Sequence, residues 1–212
     1  MEITWLGHSS FLIKNKAGTT ILTDPFNDSV GYSVFNGYAD IVTISHHHFD
    51  HSCAEAVLGN PEIIDAVGIF DIKDVQIVGL PSYHDKMEGA LRGKNTIYIY
   101  KIDDYRVCHL GDLGHFLSED DLDKIGAVDI LFIPVGGNFT IDGAEASEIA
   151  KKINSHLIIP MHYKTAALNF PLEGVESFIT YMKNGERINS CTLEITEKLE
   201  DTNLVKILDY KN

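Results

Sequence analysis

Ser45-His46-His47-His48-Phe49-Asp50-His51 is the stretch on which the reading of this chain turns. It follows Ala39-Asp40-Ile41-Val42-Thr43-Ile44, whose apolar and β-branched run reads as a buried strand. His46, His48 and His51, with the carboxylate of Asp50 among them, therefore crowd the mouth of that strand. Imidazole suits zinc and other borderline metals, and a carboxylate adds a harder donor and neutralising charge. A His-rich tract on a solvated turn also arises without any function. This one is internal, leaves a strand and carries an acid inside the histidine spacing, so a metal site is the expected meaning.

Composition narrows the setting. The 212 residues fit one domain, 1–212, long enough to bury a sizeable core without cross-links. Cys53, Cys108 and Cys191 are an odd count and widely separated, which fits buried thiols in a reducing compartment, so a cytoplasmic location is expected. The opening Met1-Glu2-Ile3-Thr4-Trp5 shows no basic region leading into a long apolar one, and no apolar run reaches about eighteen residues; neither a signal peptide nor a membrane span is expected. The net charge is −14, from 31 acids against 17 bases. Such a field repels polyanions, and Lys14 with Lys16 and Lys151 with Lys152 are pairs rather than a basic face, so nucleic acid is not an expected partner. A small-molecule substrate is, and a local basic spot still suffices for a small anion. Bound divalent cations would offset part of the acid excess.

Along the chain, short strand-like runs come first: Glu2–Leu6, Ser10–Asn15 and Thr19–Thr23, the last ended by Asp24-Pro25. Asn27–Ala39 reads as a loop and Ser52–Leu58 as a short helix stopped at Gly59-Asn60-Pro61. Further strands are expected at Ile63–Ala66, Gly68–Ile72, Val75–Leu80, Thr96–Ile102, Tyr105–Leu110, Asp129–Pro134 and His156–Pro160, with Thr192–Thr196 and Leu204–Leu208 closing the chain. Asp85–Lys94 reads as a mobile connection. Ser118 with Asp121, and Asp142 with Glu145, are capping pairs that open helices ending near Gly126 and Asn154, and Pro171–Lys183 reads as a third, amphipathic helix. Strands first, then helix and strand in alternation, predict two sheets packed together with helices outside.

One histidine cluster does not fill two metal spheres, but three more candidates each follow a strand. They are His84 in Leu80-Pro81-Ser82-Tyr83-His84, Asp112 in His109-Leu110-Gly111-Asp112-Leu113-Gly114, and His162 in Pro160-Met161-His162-Tyr163. Taken singly, a strand-end histidine or a Gly-Asp turn is more often structural. Together with Gly7-His8-Ser9-Ser10, Thr23-Asp24-Pro25-Phe26 and Pro134-Val135-Gly136-Gly137, these pieces run nearly the whole length in one order. The chain resembles a metallo-β-lactamase-fold hydrolase. The branch it is most similar to is that of small hydrolases related to the ascorbate-6-phosphate lactonases and to the phospholipase D that cleaves N-acylphosphatidylethanolamine.

The resemblance implies an α/β (α+β) fold, a four-layer αβ/βα sandwich of two mixed β-sheets packed face to face with helices outside. It implies that His46, His48 and His84 bind one metal ion, that Asp50, His51 and His162 bind a second, and that Asp112 bridges them. The cofactor would be two divalent ions, zinc by default, with manganese or iron as alternatives. The activity implied is a dinuclear hydrolase in which a hydroxide shared by the two ions attacks a small ester, lactone or phosphoester, with Asp50 and Asp112 as the catalytic carboxylates. Asp24 and His8 are expected beside the ligands, Asp24 fixing histidine tautomers. His115 is a candidate general acid, and Tyr83, Lys86, Arg92, Asn138, Tyr163 and Lys164 flank the ligand positions as candidates to touch substrate. His47 occupies a variable position, and His109 reads as core or as support for the ligands. A nuclease or phosphodiesterase on the same site, and a non-catalytic metal- or ligand-binding module, are the alternative readings. Fold alone does not select the substrate.

Overall fold

The structure is a computed structural model and describes residues 1–211. Among the described residues the first half of the chain builds β1 (Glu2–Gly7), β2 (Ser10–Lys14), β3 (Thr20–Thr23), β4 (Ile41–Thr43) and β5 (Glu62–Ile64). Next come β6 (Gly68–Ile72), β7 (Val75–Tyr83), β8 (Lys94–Ile102) and β9 (Tyr105–His109), followed by α1 (Glu119–Ile125), β10 (Ile130–Pro134), α2 (Gly143–Ile153) and β11 (Leu157–Met161). The chain closes with α3 (Glu176–Met182), β12 (Glu186–Arg187), β13 (Thr192–Glu194) and β14 (Leu204–Ile207). Two mixed sheets result, ordered β13-β1-β2-β3-β4-β5 and β12-β14-β11-β10-β9-β8-β7-β6. This is the sandwich expected from the sequence. No helix among the described residues is long and apolar enough to cross a membrane.

Period-two alternation decides which faces meet. In the first sheet Ile3, Trp5, Phe11, Ile13, Ile21 and Ile41 join the main core between the sheets, while Leu6, Leu22 and Val42 point the other way into a second apolar cluster. Phe11 stacks on Phe132 of the second sheet with ring centroids 4.2 Å apart. Where the sheets carry polar groups inward, these are paired across the gap. The Tyr100 hydroxyl lies 2.7 Å from Thr43 Oγ1, and the Tyr98 hydroxyl donates to the carbonyls of Ile44 and Ile64, each at 3.1 Å. Tyr98 thus ties the second sheet to the end of β4, from which the histidine stretch departs, and the backbone N–H of Thr96 donates to Ser45 O at 2.9 Å beside it.

The outer layers differ. On the second sheet α1 packs its Ile125 against Leu80 and Ile97, and α2 lies on β10 with α3 beside it. Over the first sheet the cover is made of loops: Phe26, Val30, Tyr32 and Val57 from one side, Leu168 and Leu172 from the other. The expected helix at Ser52–Leu58 is accordingly one 3-10 turn, Ala54–Ala56. Its backbone bonds go outward instead, Cys53 N–H to Pro25 O at 2.8 Å and Leu58 N–H to Gly37 O at 2.9 Å.

Three further expectations are corrected. The third helix begins at Glu176 rather than Pro171, because the backbone before it is bonded to other loops: Glu173 N–H donates to Gly136 O and Lys164 N–H to Glu173 O, at 2.9 and 2.8 Å. β7 runs through Pro81 to Tyr83, since β6 pairs only as far as Gly79 and the missing N–H of Pro81 falls on a free edge. The Asp85–Lys94 connection is organised, not loose. The Asp85 carboxylate accepts the backbone N–H groups of Met87, Gly89, Leu91 and Arg92 at 2.7, 3.1, 3.0 and 2.7 Å.

Both capping pairs form. Ser118 and Asp121 exchange bonds at the start of α1, and Asp142 Oδ1 accepts from Ala144 and Glu145 N–H at 2.9 Å each while Glu145 returns a carboxylate to Asp142 N–H. Asp142→Ala is expected to lower stability by about 1 kcal/mol. Urea unfolding should show this as a lower midpoint with an unchanged slope.

Candidate metal centre

Each candidate ligand sits where a strand stops. His8 occupies the turn from β1 to β2, the stretch His46–His51 follows β4, His84 follows β7, Asp112 follows β9 and His162 follows β11. All lie on one rim, and the loops that carry them touch. His162 N–H donates to His8 O at 3.1 Å, and Trp5 Nε1–H donates to the same carbonyl at 3.1 Å. His8, Asp24 and His162 hold positive φ angles of 52°, 39° and 52°, a strained backbone that only surrounding contacts maintain. Two glycines allow the loops to close: a Cβ on Gly114 would stand 2.3 Å from the carbonyl carbon of His84, and one on Gly136 would stand 2.2 Å from His162 O.

At the centre is the Asp112 carboxylate, 2 % exposed. Its Oδ2 lies 3.1 Å from His162 Nε2, 3.2 Å from His84 Nε2, 3.3 Å from His51 Nε2 and 3.9 Å from His46 Nε2. On one side His46, His48 and His84 form a trio whose ring nitrogens lie within 4.8 Å of one another; on the other, His8, His51 and His162 do the same. The two trios meet at His46 and His51, whose ring centroids are 4.3 Å apart. Asp50 reaches the second trio, with Oδ2 3.2 Å from His8 Nε2 and 3.8 Å from His51 Nε2.

Asp24 fixes the proton positions on two of these rings. Its Oδ2 accepts from His51 Nδ1 at 3.0 Å and from Ser45 Oγ at 2.6 Å, while its Oδ1 accepts from Ser45 N–H at 2.7 Å. Ser45 Oγ, having donated to Asp24, accepts from His46 Nδ1 at 2.9 Å. Both rings are therefore protonated on Nδ1 and turn Nε2 inward toward Asp112. Asn95 holds the opposite wall: its Oδ1 accepts Asp112 N–H at 2.9 Å and its Nδ2 donates to Ser82 Oγ and Leu110 O. His109 bridges the same loops, Nε2 donating to Ser9 O at 2.8 Å and Nδ1 accepting Gly111 N–H at 3.1 Å.

A metal fits this arrangement on the structure's own terms. Among the described residues, His8 Nδ1, His46 Nε2, His51 Nε2, His84 Nδ1 and His162 Nδ1 are buried without a hydrogen-bond partner. A buried polar atom left unpaired costs about 1–3 kcal/mol, and the two that face Asp112, His46 Nε2 and His51 Nε2, call for an electrophile between them. The electrostatics prepare the donors. Burial, with His51 adding, pushes His46 down to about 3, and burial with His162 pushes His8 down to about 4, which keeps both rings neutral. Burial opposes charge on Asp112, yet His162 and His51 more than offset it and hold the carboxyl well below its ordinary range. Burial opposes charge on His51 too, but Asp112 and Asp24 together raise it, so a metal arriving there displaces a proton.

The remaining expected residues fall elsewhere. His47 is exposed and points to Asp65, 3.4 Å away. Both nitrogens of His115 are taken up by backbone, Phe116 O at 2.8 Å and Tyr83 N–H at 3.3 Å. Tyr163 is buried against Trp5, with ring centroids 5.2 Å apart, and Lys164 donates to the carbonyls of Leu168 and Phe170. Neither lines the cavity above the cluster. That cavity, about 380 Å³, has His48, Asp50, His84, Asp112 and His162 as its floor and Phe49, Phe139, Phe170 and Arg92 around its mouth. Sequence reasoning missed Asn95, Ser45 and the phenylalanine wall. The one available signal was Asn95 itself, an amide within an apolar strand, since a buried amide needs partners.

The sandwich with a His/Asp rim defines a class, and residues 2–162 match the family model of the beta-lactamase superfamily domain. A UPF0173 metal-dependent hydrolase of Pelotomaculum thermopropionicum is 28% identical over 197 residues, covering 78% of this chain and 85% of that protein. A UPF0173 protein of Pyrococcus abyssi is 32% identical over 182 residues, covering 78% and 84%. A crystal structure from Thermotoga maritima, described as a Zn-dependent hydrolase of the metallo-β-lactamase superfamily, superposes with a TM-score of 0.83 at 39% identity over 98% of both chains. The chain belongs to the metallo-β-lactamase superfamily, in its UPF0173 family, and is a metal-dependent hydrolase.

Replacing Asp24 with Asn leaves one acceptor oxygen for the three donors that now share two, which loosens the orientation of His46 and His51. Metal affinity is expected to fall about 10- to 100-fold, measured by competition with a chromogenic chelator. His115→Ala, by contrast, should leave affinity unchanged.

Proposed function

We propose that this hydrolase works with two divalent ions and cleaves a small ester, lactone or phosphoester. The single observation that carries the reading is the pair of histidine trios, His46, His48 and His84 on one side and His8, His51 and His162 on the other, that meet at one Asp112 oxygen lying 3.1 to 3.9 Å from four of their ring nitrogens. In this reading His46, His48 and His84 hold the first ion, Asp50, His51 and His162 the second, and Asp112 is shared. His8 is assigned to hold Asp50 in place through its 3.2 Å contact. The nitrogen and oxygen donor set makes zinc the first choice, with manganese or iron accepted by the same atoms. Bound there, such ions supply Lewis acidity and lower the pKa of water toward neutrality.

The chain's own contribution is orientation, exclusion of water and proton handling. Phe49, Phe139 and Phe170 narrow the approach, and a cavity of about 380 Å³ suits a small molecule at the low end of ligand pockets. Asp50 lines that cavity with one oxygen on His8, placed to accept a proton from water beside the scissile bond. The basic pocket that a nuclease or phosphodiesterase would need comes down to one cation. Lys86 is paired with Glu145 and Lys164 is spent on backbone carbonyls, which leaves Arg92 at the cavity of a chain whose net charge is −14. The three cysteines are unpaired, which fits a reducing compartment such as the cytoplasm.

The test is elemental analysis of untagged protein beside an ester, lactone and phosphodiester panel, with and without chelator. Two ions per chain and chelator-sensitive turnover are expected; one ion per chain would end the dinuclear reading. His48→Ala should remove one ion and abolish turnover while His47→Ala does neither. Asp112→Asn should lower occupancy of both ions, and selective loss of one would argue against a shared ligand.

A further inference from the structure

The mouth of the cavity combines three apolar walls with one cation. Phe49 comes from the histidine stretch, Phe139 from the loop after β10 and Phe170 from the loop after β11. The ring centroids of Phe49 and Phe139 lie 6.2 and 6.3 Å from that of Phe170. Phe170 in turn packs edge-on to His8 at 5.6 Å, so the aromatic collar rests directly on the His/Asp floor. Phe49 is 56 % exposed, an expense of apolar surface that solvent does not reward unless something covers it.

Arg92 stands at this collar as the cavity's lone guanidinium. Its Cζ lies 4.6 Å from the centroid of the Phe139 ring, a cation–π contact that holds the guanidinium at the collar. Beyond that it makes one long bond, Nη2 to Asn138 O at 3.5 Å, and among the described residues it pairs with no carboxylate. The loop beneath it is not free to swing, because Asp85 pins Arg92 N–H at 2.7 Å together with three neighbouring amides. The neighbouring cations Lys86 and Lys164 are both engaged, so Arg92 alone offers charge to a ligand.

From this we propose that the substrate carries a carboxylate held by Arg92, joined through a flat apolar body against Phe49, Phe139 and Phe170 to the scissile bond on the floor. Arg92 is then the residue that selects the substrate. The inference rests on the hydrolytic reading of the centre below it. A guanidinium edge matches the two oxygens of a carboxylate, and aromatic rings match a planar body. One cation balances one negative charge. A phosphate dianion at the same place would carry a second negative charge for which the mouth of the cavity has no second cation, since Lys86 and Lys164 are engaged.

The experiment is calorimetric titration of the metal-loaded chain with 3-phenylpropionate and with its uncharged amide, repeated on Arg92→Gln and Arg92→Lys with metal content measured in each sample. The unaltered chain is expected to bind the carboxylate about tenfold or more tighter than the amide, a gap of about 1.4 kcal/mol. Arg92→Gln should erase that gap without changing amide affinity, and Arg92→Lys should keep part of it. Equal affinities in the unaltered chain would overturn the assignment. So would a preference that survives Arg92→Gln, which would place the carboxylate on the metal ions instead. A purely structural role for Arg92 would weaken both probes together and also refutes the proposal. None of these failures touches the hydrolytic reading, which falls only if the unaltered, metal-loaded chain cleaves no ester, lactone or phosphoester.

Discussion

Everything at the open rim of this sandwich is arranged around a carboxylate that water does not reach. Four imidazoles converge on one oxygen of Asp112, and two of them, His162 and His51, hold it ionised while it is 2 % exposed. Those imidazoles come from loops after three different strands, β4, β7 and β11, drawn from both sheets. The carboxylate is thus where the two sheets are joined at the active end, as the Phe11–Phe132 stack and the tyrosine hydroxyls join them inside.

The same arrangement explains why so many backbone concessions gather here. Left-handed φ angles at His8, Asp24 and His162 are unfavourable for residues with a Cβ, and glycines at 114 and 136 forgo side chains so that neighbouring loops can touch. Such positions are kept by the packing around them. The main core is large and continuous, and it absorbs strain that a small domain would not carry.

How much of this was legible in the sequence depended on distance along the chain. His46, His48, Asp50 and His51 announce themselves because four donors fall within six residues, whereas His84, Asp112 and His162, each behind a readable strand, gain that meaning only beside the central stretch and through the family resemblance. The sheets and both capping boxes were legible for the same reason, since alternation and caps are local. What was not legible depends on loop closure. A helical pattern at Pro171–Glu173 yields to bonds with Gly136 and Lys164, the Ser52–Leu58 segment bonds to other loops before itself, and Asp85 orders a connection that composition alone marks as loose. Tyr163 and Lys164 follow His162 directly, yet one turns into the core and the other back onto its own loop. Proximity in sequence to a ligand does not bring a side chain to the cavity.

The outer strand β13 has a consequence for how the centre is assembled. It completes the first sheet by pairing Thr192, Leu193 and Glu194 with β1, while β12 and β14 on either side of it in the chain belong to the second sheet. Trp5 is bonded from both directions, its N–H to Cys191 O and its carbonyl from Lys211 N–H, and its indole supports the His8 turn. The earliest histidine of the cluster is therefore secured by the latest strands. Pairings of such long sequence separation form slowly, because the loop entropy is lost before the contact is gained. The His8 side of the cluster thus depends on contacts that span nearly the whole chain, and its geometry is set only when both ends of the chain are in place.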